Sequence, residues 1–265
     1  MEISPTGNSR ILKLGSIHTI SSPISPAEKN KTAFEELYLQ VRKHENRIYT
    51  DKEVALLPNF YLDHPLAKEW EIRKNSSESL IRYLIKKNKP LEILEIGCGN
   101  GWLSAKLSSI LASQVTGIDI TSIELDQAKR VFNKIRNLEF INGSIENELL
   151  HKKQFDIIVF AASIQYFPLL KEVLRKAAPL LNQNGEIHII DSPFYKTNKI
   201  EAARKRSQAY YESVGFPGMT EYYFHHALDE LKQLNYKILF NPGSFLNSFK
   251  KPKNPFYWIC VTKNA

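Results

Sequence analysis

Three glycines separated by single residues, Gly97, Gly99 and Gly101, stand between an apolar run, Leu91–Ile96, and a helix-patterned run carrying Leu103, Leu107, Ile110 and Leu111. A strand that feeds a helix through so tight a turn needs residues without a Cβ, and glycine also lets a ligand approach the backbone. The helix start beyond it offers unpaired N–H groups. Apolar segments at Val115–Ile120, Leu138–Asn142, Phe155–Phe160 and Glu186–Asp191 read as further strands. Helix patterns lie between them, one marked by Ile123, Ala128, Val131, Phe132 and Ile135, another spanning Leu169–Leu181. Strands alternating with helices imply a parallel sheet with crossover helices, and near-continuous apolar strands imply cover on both faces. Tyr236–Phe240 and Phe256–Thr262 read as two closing strands in hairpin-like order, so an antiparallel edge is expected.

The first ninety residues differ. Residues 1–30 hold Ser, Pro, Asn and Gly with no sustained period and are expected to form a flexible arm. Residues 31–90 read as a helical cover without strands. Phe34, Leu37, Tyr38 and Val41 share a face, and Thr50-x-x-Glu53 forms a capping box for a short helix that Pro58 ends. A third helix has Leu66, Trp70, Ser77, Leu80, Ile81, Leu84 and Ile85 inward and stops at Pro90. Residues 91–265 form the main domain, with an aromatic-rich insertion at 193–224. Within it a helix over 198–214 is expected, with Gly215 as its stop, and His225–Leu234 reads as another.

Across 265 residues, 43% hydrophobic and 24% charged content excludes disordered, collagen-like and coiled-coil chains. Two cysteines, Cys98 and Cys260, do not make a disulfide framework. No stretch is apolar enough to span a bilayer, and Met1–Ile20 lacks a signal-peptide core, so a cytoplasmic protein with no membrane partner is expected. The net charge of +8 permits nucleic acid as a partner, but the lysines are scattered, and the densest group, Lys86, Lys87 and Lys89, ends a helix.

Two cofactors suit a glycine turn followed by an acid, here Asp119, at the end of the next strand. A dinucleotide site has Gly-x-Gly-x-x-Gly and seats a pyrophosphate. Here the third glycine comes one residue early, and Glu95, two residues before the first, would repel phosphate but suits an ammonium group. S-adenosylmethionine carries an ammonium, a sulfonium and a ribose, and no phosphate.

The stretch Leu-Glu95-Ile-Gly97-Cys98-Gly99-Asn100-Gly101 resembles the first motif of the class I S-adenosylmethionine-dependent methyltransferases, most nearly the small-molecule methylases. Phe155-Asp156-Ile-Ile-Val-Phe-Ala161-Ala-Ser-Ile-Gln165-Tyr166-Phe-Pro168 and Pro179-Leu-Leu-Asn-Gln-Asn-Gly185-Glu resemble that group's run from strand four to strand five. The resemblance implies a Rossmann-like, doubly wound, mostly parallel seven-stranded sheet with an antiparallel last strand. It implies that Glu95, Gly97, Cys98, Gly99, Asn100 and Gly101 line the methionine part of the cofactor. Asp119 would hold the ribose and Ile120 the adenine, with Ser144 and Ile145 at its amino end and Ala161 beside the methionine. The Asn/Asp-Pro-Pro-Tyr of nucleic-acid amino-methylases is replaced by Phe160-Ala-Ala-Ser, and no acid set for a metal stands out.

The expected reaction is in-line methyl transfer to a small molecule, where alignment is the main task. The 193–224 insertion is the candidate acceptor lid, with Tyr195, Arg204 and Tyr211 as candidate acceptor contacts. Tyr166, just past strand four, is a candidate for facing the sulfonium or acceptor. His225 and His226, read at a helix start that would keep the imidazole neutral, are candidate bases. The alternative is a non-catalytic cofactor-binding or RNA-binding module of the same fold, for which one continuous basic face is required.

Overall fold

The computed structural model describes residues 26–59, 64–247 and 253–263. Three helices open the described chain: α1 (Pro26–His44), α2 (Asp51–Leu56) and α3 (Ala67–Ile85). Most of the expected arm, residues 1–25, lies outside the described residues, and its last five residues are already helical. The Thr50–Glu53 capping box forms, with Glu53 N–H donating to Thr50 Oγ1 and Thr50 N–H to Glu53 Oε2.

The order then alternates: β1 (Leu91–Ile96), α4 (Trp102–Leu107), β2 (Ser113–Asp119), α5 (Ser122–Val131), β3 (Leu138–Asn142), α6 (Glu148–His151), β4 (Phe155–Ala161), α7 (Leu170–Ala177) and β5 (Leu181–Ile190). The chain continues through β6 (Phe194–Tyr195), α8 (Ile200–Ser213), β7 (His226–Ala227), β8 (Tyr236–Phe240) and β9 (Trp258–Thr262). Seven strands form one sheet in the order β3-β2-β1-β4-β5-β9-β8. The first five run parallel, and β9 is antiparallel to both β5 and β8.

Side chains of a strand alternate between faces, so each central strand feeds two cores. Along β4, Ile158 and Phe160 join α7 on one face, while Ile157 and Val159 pack with α3 and α4 on the other. Each such fully buried side chain contributes about 1.5–3 kcal/mol. His188 is buried within β5. Trp258 Nε1 donates to its Nδ1 (3.0 Å), so its Nε2 proton faces Glu186 (3.1 Å), which Lys87 neutralises (2.8 Å).

Several expectations are corrected. Pro179 cannot continue the helix hydrogen-bond ladder, so α7 ends at Ala177, one 3-10 turn follows, and Leu181 already belongs to β5. Ile85, read as inward-facing, and Ile123, read only as marking its helix, are exposed because each sits in a terminal turn. The helix read at His225–Leu234 is absent. His226 and Ala227 instead pair as β7 with Phe194 and Tyr195 of β6, and one 3-10 turn, Leu228–Leu231, follows, with Glu230 capping Ala227 N–H.

Gly101, at φ +74°, opens α4. A Cβ there would lie 2.5 Å from the Phe140 ring and 2.8 Å from Ala128. Gly101→Ala is therefore expected to lower stability by roughly 1–3 kcal/mol through overpacking. A denaturant midpoint unchanged from wild type would contradict that packing argument.

Candidate active site

Ligands of open α/β sheets bind beyond the carboxyl ends of the strands, and two adjoining cavities lie there. The smaller, about 480 Å³, is walled by Ile118, Ile120, Ile145, Phe167, Phe34 and Tyr222. Asp119 is the one charged side chain on its lining among the described residues. The backbone fixes that carboxylate: Gly99 N–H donates to Oδ2 and Thr121 N–H to Oδ1, each at 2.7 Å. Gly97 and Cys98 N–H both reach Ile118 O, so the turn is tied to the end of β2. Positive φ at Gly97 (+76°) and Gly99 (+52°) makes the turn possible, and a Cβ on Gly97 would collide with Ser163 at 2.5 Å. Ser144 borders the same cavity, where its Oγ accepts Glu146 N–H.

The larger cavity, about 630 Å³, is lined by Glu95, Cys98, Asn100, Ala161, Tyr195 and Tyr211 among others. Tyr38, Gly97, Gly99, Ala162 and Tyr166 line both cavities and form the neck between them. Its roof joins two segments far apart in sequence. Val41 of α1, Tyr211 of α8 and Met219 form a small apolar core, against which Tyr38, Tyr166 and Tyr223 pack. Tyr166 meets Tyr38 edge-on at 5.7 Å and Tyr223 at 5.9 Å. Tyr210 of the insertion donates to Glu45, the residue just past α1.

The electrostatics are local. Glu95 is 2% exposed, and burial pushes its carboxyl up to about 8 despite a 2.5 Å bond from Ser104 Oγ. Burial also raises the Cys98 thiol, so it stays protonated and unreactive. Arg42 pairs with Glu124 at 3.6 Å. Arg47 grips Glu69 with two 2.6 Å bonds while Arg73 holds it from the other side. Burial opposes ionisation of Glu69, but these partners hold it down at about 2. Asp191, past the end of β5, is buried, and burial lifts it to about 6 against the pull of Arg73.

Other candidates fall elsewhere. Gly101 packs under Phe140 and is on neither lining, and its missing Cβ lets α4 approach β3. His225 and His226 also lie outside both linings among the described residues, and neither starts a helix. His226 Nε2 donates to Ile164 O at 3.1 Å, and His225 Nε2 bonds Ser207 Oγ at 2.9 Å behind the Tyr195 ring. Burial keeps both neutral. Arg204 points to solvent, and the next turn-mate on the opposite flank of α8, Arg206, reaches the larger cavity instead. Tyr38, Arg42, Glu69, Arg73 and Gln165 line that cavity although the sequence does not mark them as site residues, and Asp191, which the sequence offers only as a lone candidate acid for a metal, lines it too. Glu186, His188 and Cys260 come within 4.8 Å of one another, but both His188 nitrogens are engaged.

A family model described as a methyltransferase domain matches residues 87–241. The malonyl-[acyl-carrier protein] O-methyltransferase of Halalkalibacterium halodurans is 32% identical over 103 residues, covering 37% of this chain and 38% of that protein. The chain spans about four-tenths of the length of the first curated relatives it matches. Among solved structures, the plantazolicin methyltransferase BpumL in complex with SAH is 20% identical, with a TM-score of 0.53 over 89% of this chain and 98% of that one. The SAH-bound magnesium protoporphyrin IX methyltransferase from Synechocystis PCC 6803 is 13% identical, with a TM-score of 0.59 over 88% of this chain and 100% of that one. These two likenesses concern the fold. Among the described residues no helix is long and apolar enough to cross a membrane.

Proposed function

The chain belongs to the methyltransferase-domain family, and from that premise we propose a class I S-adenosylmethionine-dependent enzyme that methylates a small molecule. The observation that carries this reading is the lining of the smaller cavity, apolar walls with Asp119 as the single charge among the described residues. Such a lining suits adenine and ribose and gives a pyrophosphate no cation. S-adenosylmethionine, when bound, supplies a methyl group activated by a sulfonium. Asp119 accepts from ribose hydroxyls, while Ile120 and Ile145 flank the base. Glu95, a buried acid at the neck side of the larger cavity, receives the ammonium. Tyr166 and Ala162 border the neck where the two ligands meet, and α1 with the 193–224 lid excludes water from it.

The RNA-binding alternative gains no support at the cavity, where Arg42, Arg47 and Arg73 are paired with Glu124 and Glu69. A cytoplasmic location belongs to the same proposal and is supported by two free, buried thiols, Cys98 and Cys260.

The test is incubation of the purified protein with methyl-labelled cofactor and a metabolite extract. Label is expected in a low-mass product, and no transfer to any fraction would reject the enzyme reading. Tyr211→Ala, which opens only the larger cavity, is expected to cut labelling about tenfold by loosening acceptor alignment. Its S-adenosylhomocysteine affinity should stay within about threefold of wild type, a change below 1 kcal/mol. A large loss of that affinity would place Tyr211 in the wrong lobe.

A further inference from the structure

Two neighbouring strands end in the larger cavity with the same unusual backbone. Ala162, after β4, and Asp191, after β5, both adopt left-handed φ of +52°. Non-glycine residues there are strained, and such strain gathers at functional sites. The two ends are bonded together, Ala162 N–H donating to Ile190 O at 3.0 Å. Gln165 is fastened to the same place, its Nε2 donating to Ala162 O at 2.6 Å, which fixes which way its amide points. Asp191 and Gln165 are each 6% exposed, and both line the larger cavity. Asp191 Oδ1 and Gln165 Oε1 are buried and accept no hydrogen bond from the described residues. A buried acceptor left unpaired is costly, so two on residues of one cavity lining call for a ligand that donates twice.

We propose that the methyl acceptor is a primary or secondary amine held between Asp191 and Gln165, and that Asp191 takes the proton this amine gives up. The inference rests on the methyltransferase reading above. A hydroxyl has one proton and satisfies one of the two acceptors, whereas the ammonium form of a primary or secondary amine has at least two N–H groups and satisfies both. Tyr195, Tyr211 and Tyr223 line the same cavity, and aromatic rings there suit a cationic acceptor. Among the described residues, Arg73 attracts the Asp191 carboxylate, Ser76 hydrogen-bonds it and Glu69 repels it, all from α3, and Arg82 of α3 and Tyr257 share a second cavity with it. Arg73 is bonded to Glu69, so its charge is largely balanced. An acid titrating near 6 is ionised at cellular pH and close enough to it to serve as a base. The ammonium proton passes to Asp191 Oδ1. The freed nitrogen pair forms the N–CH₃ bond as the CH₃–S bond breaks, its electrons staying on sulfur. The proton leaves from Asp191 to solvent.

The test uses the full chain with ¹³C-labelled aspartate carboxyls, saturated with S-adenosylhomocysteine, and two probes, benzylamine and benzyl alcohol. The Asp191 signal is identified by its loss in Asp191→Asn. Benzylamine is expected to lower its titration midpoint by about one unit, as an opposite charge does. Benzyl alcohol should leave the midpoint in place, and Gln165→Leu should weaken the amine effect about tenfold. No shift with benzylamine, or an equal shift with the alcohol, overturns the proposal. With labelled cofactor and a metabolite extract, the products should carry methyl on nitrogen. Asp191→Asn should slow their formation about 100-fold or more and remove the acid limb of the pH profile. Methyl on oxygen or carbon, or an unchanged acid limb in the variant, overturns it too. Failure of S-adenosylhomocysteine itself to bind would instead reject the underlying methyltransferase reading.

Discussion

Asp119→Ala is expected to weaken S-adenosylhomocysteine binding by about 100-fold or more, the loss of two charge-assisted ribose hydrogen bonds of about 1.5–3 kcal/mol each. The carboxylate is held on both oxygens by Gly99 and Thr121 N–H groups. Its removal therefore also frees the glycine turn that shapes the neck. Asp119→Asn keeps the shape and one acceptor oxygen, so its affinity should fall between the two. Calorimetric titration separates the three proteins. Equal affinity for wild type and the alanine variant would mean that the smaller cavity does not hold the ribose.

Glu95→Gln is expected to reverse sign between stability and binding. The folded protein holds the Glu95 proton up to about pH 8, chiefly through burial and also through the nearby Asp119 charge, whereas an unfolded glutamate releases it near 4.3. The fold binds that proton more tightly than the unfolded chain does. Its stabilising contribution is complete below about pH 4.3 and is lost as pH rises through about 8. Asp191, raised to about 6, adds a smaller contribution of the same sign. Without ligand, Glu95→Gln should therefore be more stable than wild type at pH 8.5, by about 2–4 kcal/mol, and close to it near pH 4.5. Binding should move the other way. A ligand ammonium stabilises the Glu95 carboxylate, so wild type should release close to one proton at pH 7 on binding S-adenosylhomocysteine. The variant should release none from this site and bind about tenfold or more weakly, as expected for a lost ionic hydrogen bond. Titration in two buffers of different ionisation enthalpy measures the proton count. Equal proton release by both proteins would remove Glu95 from the ammonium site.

What could be read before folding was what is local. The strand, the glycine turn and the acid ending the next strand are specified within some thirty residues, and they assemble the neck and the smaller cavity. What failed was set by distant partners. His225 and His226 look like a helix start, but β6 claims His226 as a strand residue and Ser207 of α8 takes up His225. Gly101 belongs to the motif, yet Phe140 on β3 decides that it packs rather than lines. Arg204 and Arg206 differ only in helix phase, which the packing of α8 against α1 selects. The amphipathic face of α1 was visible, but nothing nearby in sequence says that Tyr38 and Val41 meet Tyr211 and Met219 over the site. Asp191 reads as a lone acid without a metal set and Gln165 as an ordinary polar residue after a strand, and the burial of Asp191 Oδ1 and Gln165 Oε1 without partners among the described residues becomes apparent only in three dimensions.

The most direct measurement is a matched pair of calorimetric titrations of the wild-type protein, one with S-adenosylhomocysteine and one with NADH. The smaller cavity carries a carboxylate and apolar walls, with no lysine or arginine on its lining among the described residues. One equivalent of S-adenosylhomocysteine is predicted to bind, and NADH, whose pyrophosphate would face Asp119 without a counter-charge, is predicted not to. Binding of NADH together with no heat from S-adenosylhomocysteine would contradict the account.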